Sequence, residues 1–341
     1  MADDMTGRRR SRRGTGGVTL HEVAKLAGIA PITASRALNT PDKVSAEVLH
    51  KVRDAVARTG YVPNRLAGGL ASARSRLVAA VVPTIAGWVF LKTITALTES
   101  LASSGYELML GQSGYTDSRE DSLIETIITR RPEGIVLTGV MHSAAARRRL
   151  HASGIPVVET WDLSPTPVDM LVGFSHDQVG REVADHLYDR GFRRFAIVAG
   201  DDERSQRRQA AFVARAEMLS VPTAVVTVAA PTTLKQGREA LASLALGEGR
   251  LGVFCSSDLL GLGLLTEAQV RGVEVPSRLG IIGFGDLDFS ADVAPALSTV
   301  RIDGTAIGRQ AARFILERAA GRPVSERVLD IGFSIVVRST T

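Results

Sequence analysis

From Leu77 onward, short apolar runs alternate with amphipathic helical stretches, and this alternation limits the possible folds most. Candidate strands lie at 77–82, 107–110, 134–137 and 156–159. A second set begins at 170–173 and continues at 194–199, 223–228, 252–255 and 279–283. Stretches such as 90–103, 178–190 and 259–270 have helical spacing. Strands that alternate with helices build parallel, doubly wound sheets. These strands are too many for one compact sheet, so two lobes are expected. At 341 residues the chain suits one small domain plus a bilobal one. Apolar residues make up 45%, enough for such cores. No run reaches the roughly 18 apolar residues of a membrane span, and the N-terminus lacks the apolar core of a secretory signal. The single cysteine, Cys255, excludes an internal disulfide framework and makes no thiolate metal site. A soluble, cytoplasmic protein without a membrane partner is expected.

The first 76 residues differ in kind. They hold 14 Lys/Arg against 6 Asp/Glu, or +8, whereas the whole chain is +5, which leaves −3 for the rest. A basic head on a mildly acidic body suggests a polyanion bound by the head. Five arginines in 8–13 also suit a solubilising tail, and residues 1–17 read as disordered. Helical spacing then runs from Leu20 to Arg58. Leu20, Val23, Ala24 and Ala27 share one face, and Gly28 breaks it. Pro31 starts a second helix to Leu38, where a missing N–H costs little. After the turn 39–42, Ser45 caps a third helix with Val48, Val52 and Val56 inward. In the two-helix DNA-reading pattern counted from Leu20, Ala34 stands where a larger β-branched residue usually plugs the core. The head is therefore expected to be underpacked. Residues 65–75 allow two helical turns, but Gly68 and Gly69 weaken them.

The text Val18-Thr-Leu-His-Glu-Val-Ala-Lys-Leu-Ala-Gly-Ile-Ala-Pro-Ile-Thr-Ala-Ser-Arg-Ala-Leu-Asn39, continued by Gly60-Tyr-Val-Pro-Asn-Arg-Leu-Ala67, closely resembles the head of the lactose/galactose repressor family. The resemblance covers essentially the whole chain, including Asp258-Leu-Leu-Gly-Leu-Gly263 and Ile281-Ile-Gly-Phe284. It implies a helix-turn-helix domain at 18–63, a hinge at 64–76, and at 77–341 an effector-binding and dimerisation domain of periplasmic-binding-protein type. The implied protein is a homodimeric transcription repressor that binds double-stranded operator DNA, responds to a small sugar or sugar acid, and uses no cofactor. Thr19, Thr33, Ser35 and Asn39 fall at DNA-contacting positions, with Thr19, Ser35 and Asn39 on phosphates. Pro31, Ile32 and Arg36 would face base edges in the major groove, although many relatives carry polar residues at the first two positions. Arg36 suits a bidentate guanine contact or a phosphate. In the hinge, Asn64, Arg65 and Ala67 match DNA-contacting positions, and Leu70 matches a leucine that wedges into the minor groove.

In the sensor, ligands are expected at the carboxyl ends of strands, in the cleft between lobes. Three chain crossings are placed near 171–175, 300–303 and 321–324. Cleft candidates are Thr84, Phe90, Trp161, Asp162, Phe174, Arg204, Arg208, Asp258 and Asp286. Phe90 could face a sugar or pack a helix, and His176 could be structural or ligating. Arg204 and Arg208, four residues apart, share a face if their segment is helical, and arginine forks suit a carboxylate. Arg207 and Arg215 read as a solvated basic face. Gly87 stands where relatives often carry asparagine. Asp286 is offset by one from the family's usual acidic residue. Glu159-Thr-Trp-Asp162 and Gly283-Phe-Gly-Asp-Leu-Asp288 resemble the gluconate-repressor branch, which implies gluconate or a related acid. An enzyme using a nucleotide has little support. Gly261-Leu-Gly263 and Gly283-Phe-Gly285 lack the third glycine of a dinucleotide loop, and no Walker lysine appears.

Overall fold

The computed structural model describes residues 17–62, 75–85, 88–115 and 117–341. The chain separates into two compact units, Met1–Ser75 and Arg76–Thr341. In the first, helices Leu20–Ala27, Pro31–Asn39 and Ala46–Thr59 are joined through a short 3-10 turn at Pro41–Lys43. Thr19 and Glu22 cap the first helix reciprocally. The Thr19 N–H donates to the Glu22 carboxylate at 2.7 Å, and the Glu22 N–H donates to Thr19 Oγ1 at 3.4 Å. Gly28 ends that helix at φ +69°. A Cβ there would meet nothing within 4 Å, so the left-handed backbone, not lack of space, calls for glycine. Val23, Ala24, Ala34, Ala37, Val52 and Ala55 form the buried centre, flanked by Leu20, Val48, Val56 and Tyr61. Alanines dominate it, so the helices lie close together around a small core.

The second unit contains two six-stranded sheets among the described residues. The first comprises β1 (Leu77–Val82), β2 (Glu107–Gln112), β3 (Gly134–Thr138), β4 (Val157–Thr160), β5 (Met170–Gly173) and β11 (Val328–Asp330), in the order β11-β5-β4-β3-β1-β2. The second comprises β6 (Phe195–Gly200), β7 (Thr223–Val228), β8 (Leu251–Cys255), β9 (Leu279–Phe284), β10 (Ser298–Arg301) and β12 (Ser334–Val336), in the order β12-β10-β9-β8-β6-β7. Pairings are parallel except β12 on β10. β1, β5, β6, β8 and β9 are buried along nearly their whole length, as sheets covered on both faces require.

Two expectations need correction. Met170–Gly173 does not open the second sheet. It pairs with β4 through Val158↔Met170 and belongs to the first. The last crossing also lies later than 321–324. Val328↔Leu171 pairing holds β11 in the first sheet, and the chain enters the second only at β12. The crossings therefore fall at 174–175, 302–303 and 331–333. The strands Ser298–Arg301 and Val328–Asp330 are absent from the sequence reading, because neither carries a continuous apolar run.

Helix His176–Asp189 packs on Glu203–Met218, and Gly304–Ala319 packs on Leu91–Ala102. A Cβ on Gly180 would lie 2.4 Å from the Arg208 carbonyl oxygen, so glycine lets the first pair approach and fixes where Arg208 sits.

Candidate functional site

The strands of both sheets end around one cavity in the second unit. β1 leads to Thr84, β4 to Trp161, β6 to the Arg204 turn, β8 to Ser256, and β9 ends on Phe284. All five residues line a cavity of about 110 Å³, with Phe90, His176 and Arg208. Tyr115, Asp202 and Arg204 also border an outer recess of about 460 Å³ that is rich in carboxylates, among them Glu120, Asp162 and Asp201. A cavity at carboxyl strand ends is where doubly wound sheets hold ligands.

Arg208 dominates the inner cavity. It is 4% exposed, and its hydrogen-bonding partners are neutral. Nη1 donates to His176 Nδ1 at 3.0 Å, and Nη2 donates to Ser205 Oγ at 3.1 Å and to the Ser256 carbonyl at 3.2 Å. Its Nε has no partner, and the guanidinium lies 4.0 Å over the Phe284 ring. Burial pushes the arginine down to about 10, and the nearby Asp202 charge offsets only part of that. His176 is held neutral, well below its ordinary value, by burial and then by Arg208. Its Nδ1 therefore accepts and its Nε2–H donates to the Trp161 carbonyl at 3.0 Å. Trp161 sits at φ +68°, a left-handed conformation that costs a bulky residue about 1–3 kcal/mol. Its ring meets Phe90 edge-on, with centroids 5.1 Å apart. Arg204 stands at the mouth, its guanidinium 5.4 Å from the Phe90 ring and 4.0 Å from Asp202. Both arginines lie on helix Glu203–Met218, capped by Asp202.

The remaining candidates are placed differently. Asp258 does not face the cavity. Its buried carboxylate accepts from Leu287 N, Ser290 Oγ and Thr299 Oγ1, so both oxygens are engaged within the fold. Asp286 turns to Arg301 and Arg338, which hold it below the usual carboxylate range although burial works upward. Phe174 lies behind the wall, packed on Trp161, His176 and Phe284. Asp162 borders the outer recess and is bound through both oxygens by Arg207, at 2.7 and 2.8 Å. Burial raises its pKa and Arg207 offsets part of the rise. Arg207 also reaches Asp177, and Arg215 reaches Asp185. Neither is thus the solvated basic face expected. Sequence reasoning missed Tyr115, Ser205, Thr232 and Ser256. Of these, Ser205 and Ser256 could have been found as the hydroxyls one turn from Arg208 and just past a strand end. Gly87 lies outside the described residues.

In the first unit, the exposed side of helix Pro31–Asn39 carries Ile32, 71% exposed, and the exposed Arg36. Thr33 and Ser35 are half-buried beside them. Asn39 Nδ2 donates to the Ser35 carbonyl and hydroxyl, at 3.0 and 3.3 Å. Thr19, at the start of the first helix, is exposed as well. Asn64, Arg65, Ala67 and Leu70 lie outside the described residues.

Residues 19–64 match the model of bacterial regulatory proteins of the lacI family, and residues 184–341 match a periplasmic binding protein-like domain. The chain is 38% identical, over 336 residues, to the HTH-type transcriptional regulator GntR of Pseudomonas aeruginosa, covering 97% of this chain and 98% of the relative. The chain belongs to the lacI family. A regulator of the same name from Escherichia coli is 30% identical over 319 residues, covering 93% of this chain and 96% of that protein. The crystal structure of a LacI-family transcriptional regulator from Silicibacter pomeroyi superposes with a TM-score of 0.89 at 29% identity, covering 95% of this chain and 99% of that one. This lacI-family chain is a DNA-binding transcription regulator with a helix-turn-helix head and two parallel-sheet lobes. No helix among the described residues is long and apolar enough to cross a membrane.

Proposed function

We propose that the chain is a cytoplasmic homodimeric repressor, without enzymatic activity, whose hold on an operator is relieved when a sugar acid enters the cleft beside Arg208. The observation that carries this reading is a buried guanidinium with only neutral hydrogen-bonding partners. A buried cation that Asp202 balances only in part is costly, and a ligand carboxylate is the group that would complete the balance. Hydroxyls of Thr84, Ser205 and Thr232 and the faces of Phe90 and Trp161 suit the polyol and its carbon skeleton. Gluconate fits this chemistry, and the similarity to regulators named GntR supports it. The Ile32 and Arg36 side of the second helix would enter the major groove. Pro31, at its start, would sit close to the bases. Thr19, Ser35 and Asn39 would meet the backbone, with Thr33 a further DNA contact. The domain limits proposed are 18–63 for the head, 64–76 for the hinge and 77–341 for the sensor. Asn64, Arg65, Ala67 and Leu70 would complete the interface on bent DNA. One small head makes few contacts, so two are expected on a near-palindromic site.

Calorimetry with gluconate, 6-phosphogluconate and glucose, beside operator titrations at fixed salt, tests the reading. Gluconate should bind and weaken the operator complex. Uptake of glucose with no heat from either acid would overturn the carboxylate assignment.

A further inference from the structure

We propose that Thr93 is a positioning residue that passes the state of Arg208 to the segments joining the lobes. The path is a buried hydrogen-bond chain, Arg208–His176–Trp161–Thr93–Gly304. This inference rests on reading the cleft as the effector site.

Hydrogen bonds make every link, and at Trp161 the path runs through the residue itself, from backbone carbonyl to indole. Arg208 Nη1 donates to His176 Nδ1 at 3.0 Å, and His176 Nε2 donates to the Trp161 carbonyl at 3.0 Å. Trp161 Nε1 donates to Thr93 Oγ1 at 3.1 Å, and the Thr93 hydroxyl donates to the Gly304 carbonyl at 2.9 Å. Arg208, His176, Trp161 and Thr93 are all buried. A guanidinium and an indole N–H can only donate, so the direction of the chain is fixed at both tryptophan and arginine. No link can reverse without stranding a buried donor, which is costly.

The chain also ends in the right places. His176 follows the first crossing at 174–175, and Gly304 follows the second at 302–303. Thr93 is wedged against the helix that leaves the second crossing. A Cβ on Gly304 would lie 3.0 Å from its hydroxyl, and a Cβ on Gly308 would lie 2.3 Å from its carbonyl oxygen. Trp161, in a left-handed backbone held from both sides, is the element suited to two arrangements. A carboxylate that takes the Arg208 N–H groups competes with His176. The released ring changes what it offers the Trp161 carbonyl, and the indole then shifts its hold on Thr93. Lobe rotation about the crossings follows from that shift.

Thr93→Val keeps the side-chain shape and deletes the hydroxyl, and Thr93→Ser restores it. The full-length protein would be titrated with operator, with and without gluconate, and gluconate uptake read by calorimetry. Thr93→Val should take up gluconate as the wild type does and bind operator normally without it. The gluconate-induced loss of operator affinity should shrink by at least about fivefold, the lower end of coupling between linked sites, and Thr93→Ser should regain it. Full release by Thr93→Val would overturn the proposal. Thr93→Ala replaces the valine variant if that fails to fold. If the wild type takes up no gluconate, the effector reading fails by itself. The chain is then read in ligand-free protein from the unfolding midpoints of Thr93→Val, His176→Gln and the double variant. Non-additive shifts support the chain, and additive shifts overturn it.

Discussion

Replacing Arg208 by methionine separates what the cleft does for folding from what it does for binding. The arginine sits at about 10, well below its ordinary value, and each pKa unit corresponds to about 1.4 kcal/mol. Its charge therefore costs the ligand-free fold about 3 kcal/mol. The folded pKa is depressed for a basic group, so this cost is complete below about 10 and is relieved only as pH rises above that value. Methionine removes the charge and fills similar space. It leaves the Ser256 carbonyl, the Ser205 hydroxyl and His176 Nδ1 without their donor, losses of about 1 kcal/mol each. The two sides balance to within about 1 kcal/mol, so the thermal midpoint at neutral pH should stay within a few degrees of the wild type's. Sugar-acid affinity should fall at least about 100-fold, the equivalent of one or two charge-assisted hydrogen bonds. Operator binding without the acid should persist, giving a repressor that no longer responds. Differential scanning calorimetry and gluconate titration check both halves. A midpoint at least about 5 °C lower, or unchanged gluconate affinity, would refute the reasoning.

Asp258→Ala should destabilise the sensor by about 3–5 kcal/mol, because three donors lose one buried acceptor. The folded variant at low temperature should bind gluconate normally, and lost binding there would return Asp258 to the ligand site. His142 lies 2.5 Å from Glu120 and 3.4 Å from Glu159. Burial lowers its pKa, but the Glu120 hydrogen bond and charge, helped by Glu159, raise it overall. A raised pKa contributes stability that is complete below about 6.5 and fades as pH rises through the folded value. Wild type should thus lose more stability than His142→Gln between roughly pH 6 and 8, and equal pH slopes in chemical denaturation would exclude this. Arg36→Ala should weaken operator binding by about 1–3 kcal/mol and relax preference at one base pair. A uniform loss across sequences with a shallower salt slope would make Arg36 a phosphate contact.

The parts legible in the sequence were those written locally. The long apolar strands carry their own pattern, as do the Ser45 cap and the glycine at position 28. The head text, too, needed no tertiary information. The misplaced crossing depended on pairing. Val328–Asp330 is three residues long and exposed at both ends, and only its register on β5 makes it a strand of the first sheet. Charge bookkeeping failed for the same reason. Asp258 reads as a free acid at the start of a helix until Thr299, 41 residues away, closes on it. Asp162 reads as a hydroxyl acceptor until Arg207 occupies both oxygens. These closures sharpen the functional argument. Asp162, Asp258 and Asp286 are each met by cations or donors from elsewhere in the chain, so a ligand cation has no open carboxylate among these three. Arg208 is the reverse case, its hydrogen bonds all going to neutral atoms. An anion entering the cavity would meet a charge that Asp202 balances only in part, and on the proposed reading that asymmetry would favour an acid over a neutral sugar.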